Sequence, residues 1–404
     1  MTKDKRFGRR HLLKTVAAGS TAAIAGCTLS PSGGGTDTPD GSENGTDGGD
    51  GGDGSGGVPG EIPEIGAFRG SGTIVEGRPA PGGTPIRDLP DLSGSLDVYI
   101  GGGEGGIYTQ FMDMLEEFYS DFSVSSNAAP SSSHAQTIVE EAQAGETRAD
   151  VFWSIDASSL GYVADEGAYE PLSDEAIEQV PSRFTGGDNA WAGVAGRARA
   201  VPYNTNELSE DDIPNSVMEF PETDGLQPMG WAPTYGAFKS FVTAMRLIEG
   251  DDATRSWLES MKSAGTERFP NEFVISSQVA DGALYSGFAN HYYAMRVKNQ
   301  RDDPPIDLAF TEGDAGALVN IAGALKVQGT GKGDLVDTFV RHLLSSEAQE
   351  FFATRSFAYP MIPDVQPVGG LPTIDELSPP DIDLSELSNL GPTLELMQEA
   401  GVSG

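Results

Sequence analysis

Cysteine and histidine are scarce in this sequence of 404 residues, which contains one cysteine and four histidines. A single cysteine, Cys27, excludes an intramolecular disulfide. The sequence also lacks the H-E-x-x-H motif, the paired Cys/His spacing of zinc sites and the G-x-S-x-G nucleophile elbow. These absences argue against an enzyme and favour a protein that binds without turnover.

Basic residues are also few, with 25 Lys and Arg against 61 Asp and Glu and a formal net charge of −36. The first 27 residues hold six basic residues and one acidic residue, so the remainder has 60 acidic and 19 basic residues. This charge argues against nucleic acid or an anionic membrane surface as a partner. Because molar salt shortens the Debye length to about 3 Å and screens self-repulsion, the composition favours a high-salt habitat over a merely acidic protein.

The N-terminus has no hydrophobic run long enough to cross a bilayer core of about 30 Å. Instead, residues 1–14 hold six basic residues, and a short apolar stretch then ends in Ile-Ala-Gly-Cys at 24–27. This arrangement is typical of an export signal. Its arginine pair resembles the twin-arginine signal, and the final tetrad resembles a lipobox. We therefore predict that 1–27 is the signal, that Cys27 carries a lipid anchor, and that the protein sits at the outer face of the cell membrane.

The segment that follows, 28–90, is predicted to be a flexible, acidic, glycine-rich tether. Within 28–60 the residues are mostly Gly, Ser, Thr, Pro and Asp, with no basic or aromatic residue. Such a composition cannot bury enough apolar surface to offset the entropy lost on ordering. The tether would separate the membrane from a folded body.

The folded body alternates short apolar runs with amphipathic segments, and its length suits two domains. Strands are predicted at 96–100 and 150–155. Helices are predicted at 107–119, 134–144, 158–166, 238–249, 252–263, 333–344 and 346–353. Alternating strands and helices predict an α/β fold with helices on both faces of the sheets.

A glycine-rich turn follows the first strand, and Gly101, Gly103 and Gly106 satisfy the G-x-G-x-x-G spacing. One such match is weak in a chain with 53 glycines. We interpret the turn as exposed backbone N–H groups at a helix N-terminus, which suit an anionic part of a ligand. Gly103 is therefore a candidate ligand-binding residue, and Glu104, the nearest carboxylate in this part of the chain, is a weaker one.

Several phrases of the body, taken in order, resemble the iron(III)-binding branch of the periplasmic solute-binding proteins that serve ABC importers. They are Ala-Asp-Val at 149–151, the run from Trp191 to Asn204, Asn-His-Tyr-Tyr at 290–293, Val-Asn-Ile-Ala-Gly-Ala at 319–324, and Leu-Leu-Ser-Ser-Glu-Ala-Gln at 343–349. Each phrase alone is weak, but the ordered set is specific and covers about two thirds of the chain.

The resemblance implies a two-lobed periplasmic-binding-protein fold whose lobes close like a hinge on a ligand in the cleft between them. Lobe one would comprise 91–201 and 309–404, and lobe two would comprise 202–308. It also implies a monomer that hands its ligand to the permease subunits of an ABC importer.

For the ligand, the resemblance implies Fe(III) coordinated by the phenolates of Tyr292 and Tyr293, since hard oxygen donors suit a hard trivalent ion. His134 is a third candidate metal ligand. Iron would be cargo, and no cofactor is expected. In isolation, a Tyr-Tyr pair is also compatible with ordinary packing.

An anion such as carbonate or phosphate would complete the iron coordination. Asn290 matches a family position that contacts it, and Arg197 and Arg199, two apart on one strand, can pair with its oxygens. Thr234 and Tyr235 are further candidate ligand-binding residues. Two alternatives stay open: a small organic or oxyanion solute, such as a phosphonate, thiamine or a polyamine, and, less favoured, an exported enzyme.

Overall fold

The structure of the protein, a computed structural model, describes residues 61–102 and 105–403. The predicted signal, Cys27 and the first part of the predicted tether lie outside the described residues, as do Gly103 and Glu104. None of the helices formed by the described residues has the length and apolar character needed to cross a membrane.

Strands and helices alternate through most of the chain. The strands are β1 (Gly94–Gly101), β2 (Phe122–Ala129), β3 (Val151–Ser154), β4 (Tyr169–Glu170), β5 (Trp191–Asn204), β6 (Met229–Trp231), β7 (Glu267–Arg268), β8 (Ser286–Gly287), β9 (Ala289–Asn290), β10 (Ile306–Ala309), β11 (Val319–Val327) and β12 (Tyr359–Pro360). The helices are α1 (Gly105–Phe118), α2 (Ser131–Ala144), α3 (Ala157–Asp165), α4 (Asp174–Ile177), α5 (Gly236–Glu249), α6 (Asp251–Ser263), α7 (Glu272–Ala280), α8 (His291–Gln300), α9 (Gly333–Leu343), α10 (Ser346–Arg355) and α11 (Leu390–Glu399).

The predicted α/β alternation is confirmed, and each predicted strand and helix has a counterpart within a few residues. Helix α10 is capped at its N-terminus, since the Ser345 side chain accepts a hydrogen bond from the backbone N–H of Ala348. These segments were predictable because their apolar spacing reports directly which face is buried.

The sheet follows the order β2-β1-β3-β11-β5-β8-β6-β7. Strand β5 is the element common to its two halves. Its residues 191–198 pair with β11, and its residues 201–204 pair with β10. Strand β5 is almost entirely buried, and its alanine and glycine residues allow close packing on both faces, whereas its two arginines, Arg197 and Arg199, are polar exceptions. One extended strand therefore fixes both halves of the sheet relative to each other.

An aromatic cluster supports each half of the sheet. In the first half, Tyr108 stacks on Trp153 with ring centroids 4.8 Å apart, and Phe352 packs edge-on against both rings. In the second half, Phe241 and Trp257 pack together with Phe288. Such pairs contribute roughly 0.5–1.5 kcal/mol each beyond the apolar area that they bury.

The tether prediction is wrong for residues 61–90, which pack against the folded body. Phe68 and Ile86 are fully buried. Arg78 donates through Nε and Nη2 to the two oxygens of Glu350, each at 3.0 Å, and Arg69 approaches the same carboxylate at 2.7 Å. Overall composition concealed these few apolar and basic anchors, each of which has a specific partner far along the chain. We call residues 61–90 the docking segment.

A further segment, residues 384–403, packs across two parts of the molecule, and we call it the C-terminal segment. Its first turn lies on α3, where Ser385 approaches Gly161 so closely that a Cβ at that glycine would lie 2.1 Å from the serine Cβ. Helix α11 lies on α5 and α6, with the hydroxyls of Thr393 and Thr243 buried and 2.8 Å apart. The segment therefore contacts a helix from each half of the structure.

Candidate functional site

A pocket of about 940 Å³ lies where β5 passes from one half of the sheet to the other. Arg197 and Arg199 of β5 line it, together with Asn290 and Tyr292. The first residues of α2, α3 and α5 also face it, as do Leu387, Ser388 and Leu390 of the C-terminal segment. Because helix N-termini carry unpaired N–H groups and partial positive charge, this pocket suits a ligand with anionic groups.

Three tyrosines meet beside the pocket: Tyr235 and Tyr292 line it, and Tyr293 contacts both of them without lining it. Tyr292 and Tyr293 occupy the first turn of α8, and Tyr235 directly precedes α5. The Tyr235 and Tyr293 hydroxyls form a short hydrogen bond, and the Tyr292 and Tyr293 ring centroids are 4.3 Å apart. Asn290 donates through Nδ2 to the Tyr292 hydroxyl at 3.4 Å. Two helix N-termini thus bring three phenol groups together.

The protonation of these phenols depends on what lies beside them. Burial raises the pKa of Tyr293 well above its ordinary value, and the neighbouring Tyr292 and Tyr235 raise it further. Clustered phenols share hydrogen bonds while neutral, and their negative charges would repel one another once ionised. Ionisation here therefore requires a nearby cation.

Arg296 supplies some of that positive charge from α8. Its Cζ lies 5.3 Å from the centroid of the Tyr292 ring and 5.6 Å from that of Tyr293. A guanidinium over an aromatic face is attracted to its electrons, and more strongly to a phenolate. Sequence reasoning missed Arg296, although it follows the tyrosine pair at helical spacing.

Arg199 faces the pocket from a buried position, with only 3% of its surface exposed. Its Nη1 donates to Glu272 at 2.5 Å and to the Asn290 side-chain oxygen at 3.3 Å. Its Nη2 is buried and has no hydrogen-bond partner among the described residues. A buried donor of this kind is stabilised when a ligand oxygen accepts from it. Glu272 has no motif around it, and sequence reasoning missed it.

His134 does not belong to this site, which corrects its prediction as a metal ligand. It does not line the pocket. Its Nε2 is 2.9 Å from the Asn127 carbonyl oxygen, and its ring stacks on Tyr99 with centroids 4.6 Å apart. Burial lowers the pKa of His134 below its ordinary value. The ring is held by α2 packing, which cannot be read from its position in the sequence.

Of the remaining residues considered for the site, some line the pocket and others do not. Tyr235 lines the pocket, whereas the adjacent Thr234 is exposed and does not. His291 turns away from the phenols, and its Nε2 lies 2.7 Å from the Phe357 carbonyl oxygen. Among the described residues there is no group of three or more His, Cys, Asp or Glu that could hold a metal ion. A metal bound here would therefore depend on phenol oxygens.

Comparison with known proteins identifies the fold and the family of the chain. The fold is that of two-lobed periplasmic binding proteins, shared with iron-bound HitA from Pseudomonas aeruginosa at a TM-score of 0.63 and 26% identity over 76% of this chain and 99% of that one. The profile of the family described as bacterial extracellular solute-binding protein matches residues 146–379. The chain therefore belongs to this family.

Two relatives with assigned functions match across much of the chain. The major ferric iron-binding protein of Neisseria meningitidis serogroup B is 27% identical over 281 residues, which cover 68% of this chain and 84% of that protein. The Fe(3+)-binding periplasmic protein of Serratia marcescens is 26% identical over 269 residues, which cover 66% and 78% respectively.

Proposed function

We propose that this protein captures ferric iron in the pocket beside β5 and delivers it to an ABC importer. The observation that carries the proposal is the meeting of three phenol groups, Tyr235, Tyr292 and Tyr293. Phenolate oxygen is a hard donor, and a trivalent cation is the partner that would allow buried, clustered phenols to ionise. The names of the Neisseria and Serratia relatives support the same ligand.

Three phenolates balance the charge of Fe(III) but do not fill its coordination sphere. We propose that a small anion, carbonate or phosphate, occupies the remaining positions. Arg199, whose Nη2 is buried, and Asn290 line the pocket, and Arg197 lines it from the same strand as Arg199. These three side chains are therefore available to the anion. Helix N-termini at α2, α3 and α5 add further donors.

The proposal extends to how the protein works in its surroundings. Lobe one (91–201 and 309–404) and lobe two (202–308) would close on the ligand about β5 and the segment between β10 and β11. Cys27 would carry the lipid that holds the chain at the outer face of the membrane, as a monomer. The ligand would pass to permease subunits without turnover.

The decisive experiment is Fe(III) titration of the full chain, monitored by visible absorbance in high salt. A tyrosinate-to-iron charge-transfer band is expected. Tyr292→Phe and Tyr293→Phe, which remove only an oxygen atom, should abolish or greatly weaken the band, and Tyr235→Phe should shift it. Tyr285→Phe is the matched control because Tyr285 does not line the pocket and is not one of the three clustered tyrosines, and its band should equal that of the parent.

A second candidate ligand is a small organic or oxyanion solute, favoured by a pocket volume of about 940 Å³, which exceeds the volume of an ion with one small anion. Under this alternative, the parent protein stays colourless with Fe(III). The aromatic faces would then matter more than the hydroxyls, so Tyr292→Phe would bind the solute and Tyr292→Ala would not.

A further inference from the structure

Glu272 lies behind the pocket and does not line it. It is the first residue of α7 and is fully buried. One carboxylate oxygen, Oε1, accepts from Arg199 Nη1 at 2.5 Å, and the other, Oε2, accepts from the backbone N–H of Asn290 at 2.8 Å. A single carboxylate therefore holds two residues that do line the pocket.

The ion pair between Arg199 and Glu272 also lowers the net positive charge at this wall of the pocket. The side chains of Arg199 and Glu272 are 4% and 0% exposed, so water screens their interaction little. Their opposite charges largely cancel at the distance of a ligand, whereas the N–H groups of Arg199 Nη2 keep their direction. Arg199 thus offers the pocket a hydrogen-bond donor without a full positive charge.

Few other charged groups reach this part of the pocket. Arg197 lines it from β5, Asp156 lines it from the N-cap of α3, and Arg296 lies over the tyrosine rings from α8. Asp156 is engaged in capping, since its Oδ1 accepts from the Ser159 N–H at 2.8 Å. The Arg199–Glu272 pair is therefore a principal determinant of how strongly the pocket attracts an anion.

We propose that Glu272 is a positioning residue that limits the anion affinity of the pocket, orienting Arg199 and Asn290 while neutralising the Arg199 charge. The proposal rests on the proposed function, because it concerns the anion that accompanies ferric iron. A moderate affinity suits a delivery protein, which must release its anion when it releases the metal.

The test is calorimetric titration of the iron-free full chain with inorganic phosphate, at fixed pH and in molar potassium chloride. Glu272→Gln removes the negative charge with little change of shape and should raise phosphate affinity at least about tenfold, as expected for one charge within about 12 Å at an effective dielectric constant of roughly 20. Glu272→Asp keeps the charge and should show no gain. Glu259→Gln, at an exposed position on α6, should stay within about twofold of the parent.

If Glu272 had a purely structural role, Glu272→Gln would not raise the affinity for phosphate. If Glu272 only orients its neighbours, Glu272→Gln will weaken phosphate binding or leave it unchanged, and either result overturns the proposal. The double variant Arg199→Gln with Glu272→Gln leaves no unpaired buried charge, so it tests the proposal even if the single variant is unstable. It should bind phosphate more weakly than the parent, since the donor is lost while the net charge of the pair is unchanged, and an affinity equal to that of the parent would overturn the proposal.

The two proposals fail separately. Phosphate binding that is undetectable in both the parent and Glu272→Gln overturns the role of Glu272, even when Fe(III) produces the tyrosinate band. A missing band with the predicted order of phosphate affinities overturns the ferric ligand and retains Glu272 as the residue that sets anion affinity.

Discussion

The three phenol groups beside the pocket are clustered in a region that raises the pKa of Tyr293. Without a cation the Tyr293 phenol is protonated at neutral pH, because burial raises its pKa above the ordinary phenol value of about 10. Coordination to Fe(III) must therefore displace protons into the solvent. Proton release makes the affinity depend on pH in a definite direction.

We expect the affinity for Fe(III) to rise between about pH 6 and pH 8, by up to about tenfold per pH unit for each proton released. Competition with a chelator of known affinity, followed through the visible band, measures this slope. Because Tyr235 is one of the three proposed phenolate ligands, Tyr235→Phe should bind with a slope lower by one proton. A slope unchanged by the substitution would remove Tyr235 from the ligand set.

At this scale the sequence predicted the residues that lie within one motif. Asn290, Tyr292 and Tyr293 are adjacent in the chain, and the start of α8 places them together. Arg199 was predictable as a pocket residue because it alternates with Arg197 on one strand. Glu272 was not, because its role comes from contacts with residues 73 and 18 positions away.

The docking segment carries a prediction at the scale of a structural element. Glu350 is buried, with 1% of its side chain exposed, and its charge is balanced by Arg78 and Arg69. Removing one partner of a buried ion pair costs roughly 3–5 kcal/mol, because the other charge is left uncompensated. Here the second arginine reduces that cost.

Arg78→Gln should therefore lower the free energy of unfolding by about 2 kcal/mol, since Arg69 still contacts Glu350. Chemical denaturation at constant high salt measures the change. Arg255→Gln is the matched control, because Arg255 pairs with exposed carboxylates, and it should cost less than about 1 kcal/mol. Equal effects of the two substitutions would show that the docking segment adds no stability through this cluster.

Helices and strands with strong apolar periodicity were predictable, whereas the docking segment was not. Its anchors, Phe68 and Arg78, stand among residues typical of a flexible chain. The Phe68 ring packs on Phe111 and Phe118 of α1, and Arg78 pairs with Glu350, 272 positions away. Helix α11 was also missed because its burial depends on α5 and α6. Local pattern reports which face is buried, but it does not report what covers that face.

For the whole molecule, the charge of −36 dominates the expected behaviour in solution. Like charges on a compact body repel, and the repulsion grows as salt is diluted and the Debye length lengthens from about 3 Å at 1 M to about 10 Å at 0.1 M. The exposed ion pairs of the described residues are too few and too weakly stabilising to offset this repulsion.

We therefore predict that the protein unfolds as potassium chloride is lowered from molar concentrations, while still above physiological ionic strength. Circular dichroism measured along a salt series detects the transition. Repeating the series with a neutral osmolyte at matched water activity separates charge screening from solute exclusion. A protein that is equally folded in dilute buffer would show that its stability does not depend on salt screening the repulsion between its acidic residues.

The C-terminal segment also determines when, during synthesis, a complete pocket can first exist. The residues that line the pocket run from Gly102 to Leu390, so their codons span most of the message. A nascent chain that has not yet emerged beyond Leu390 lacks part of the wall, even if its sheet has already formed. The pocket is therefore complete only after the chain has been synthesised through Leu390. Translation that stops early should yield fragments without the full pocket.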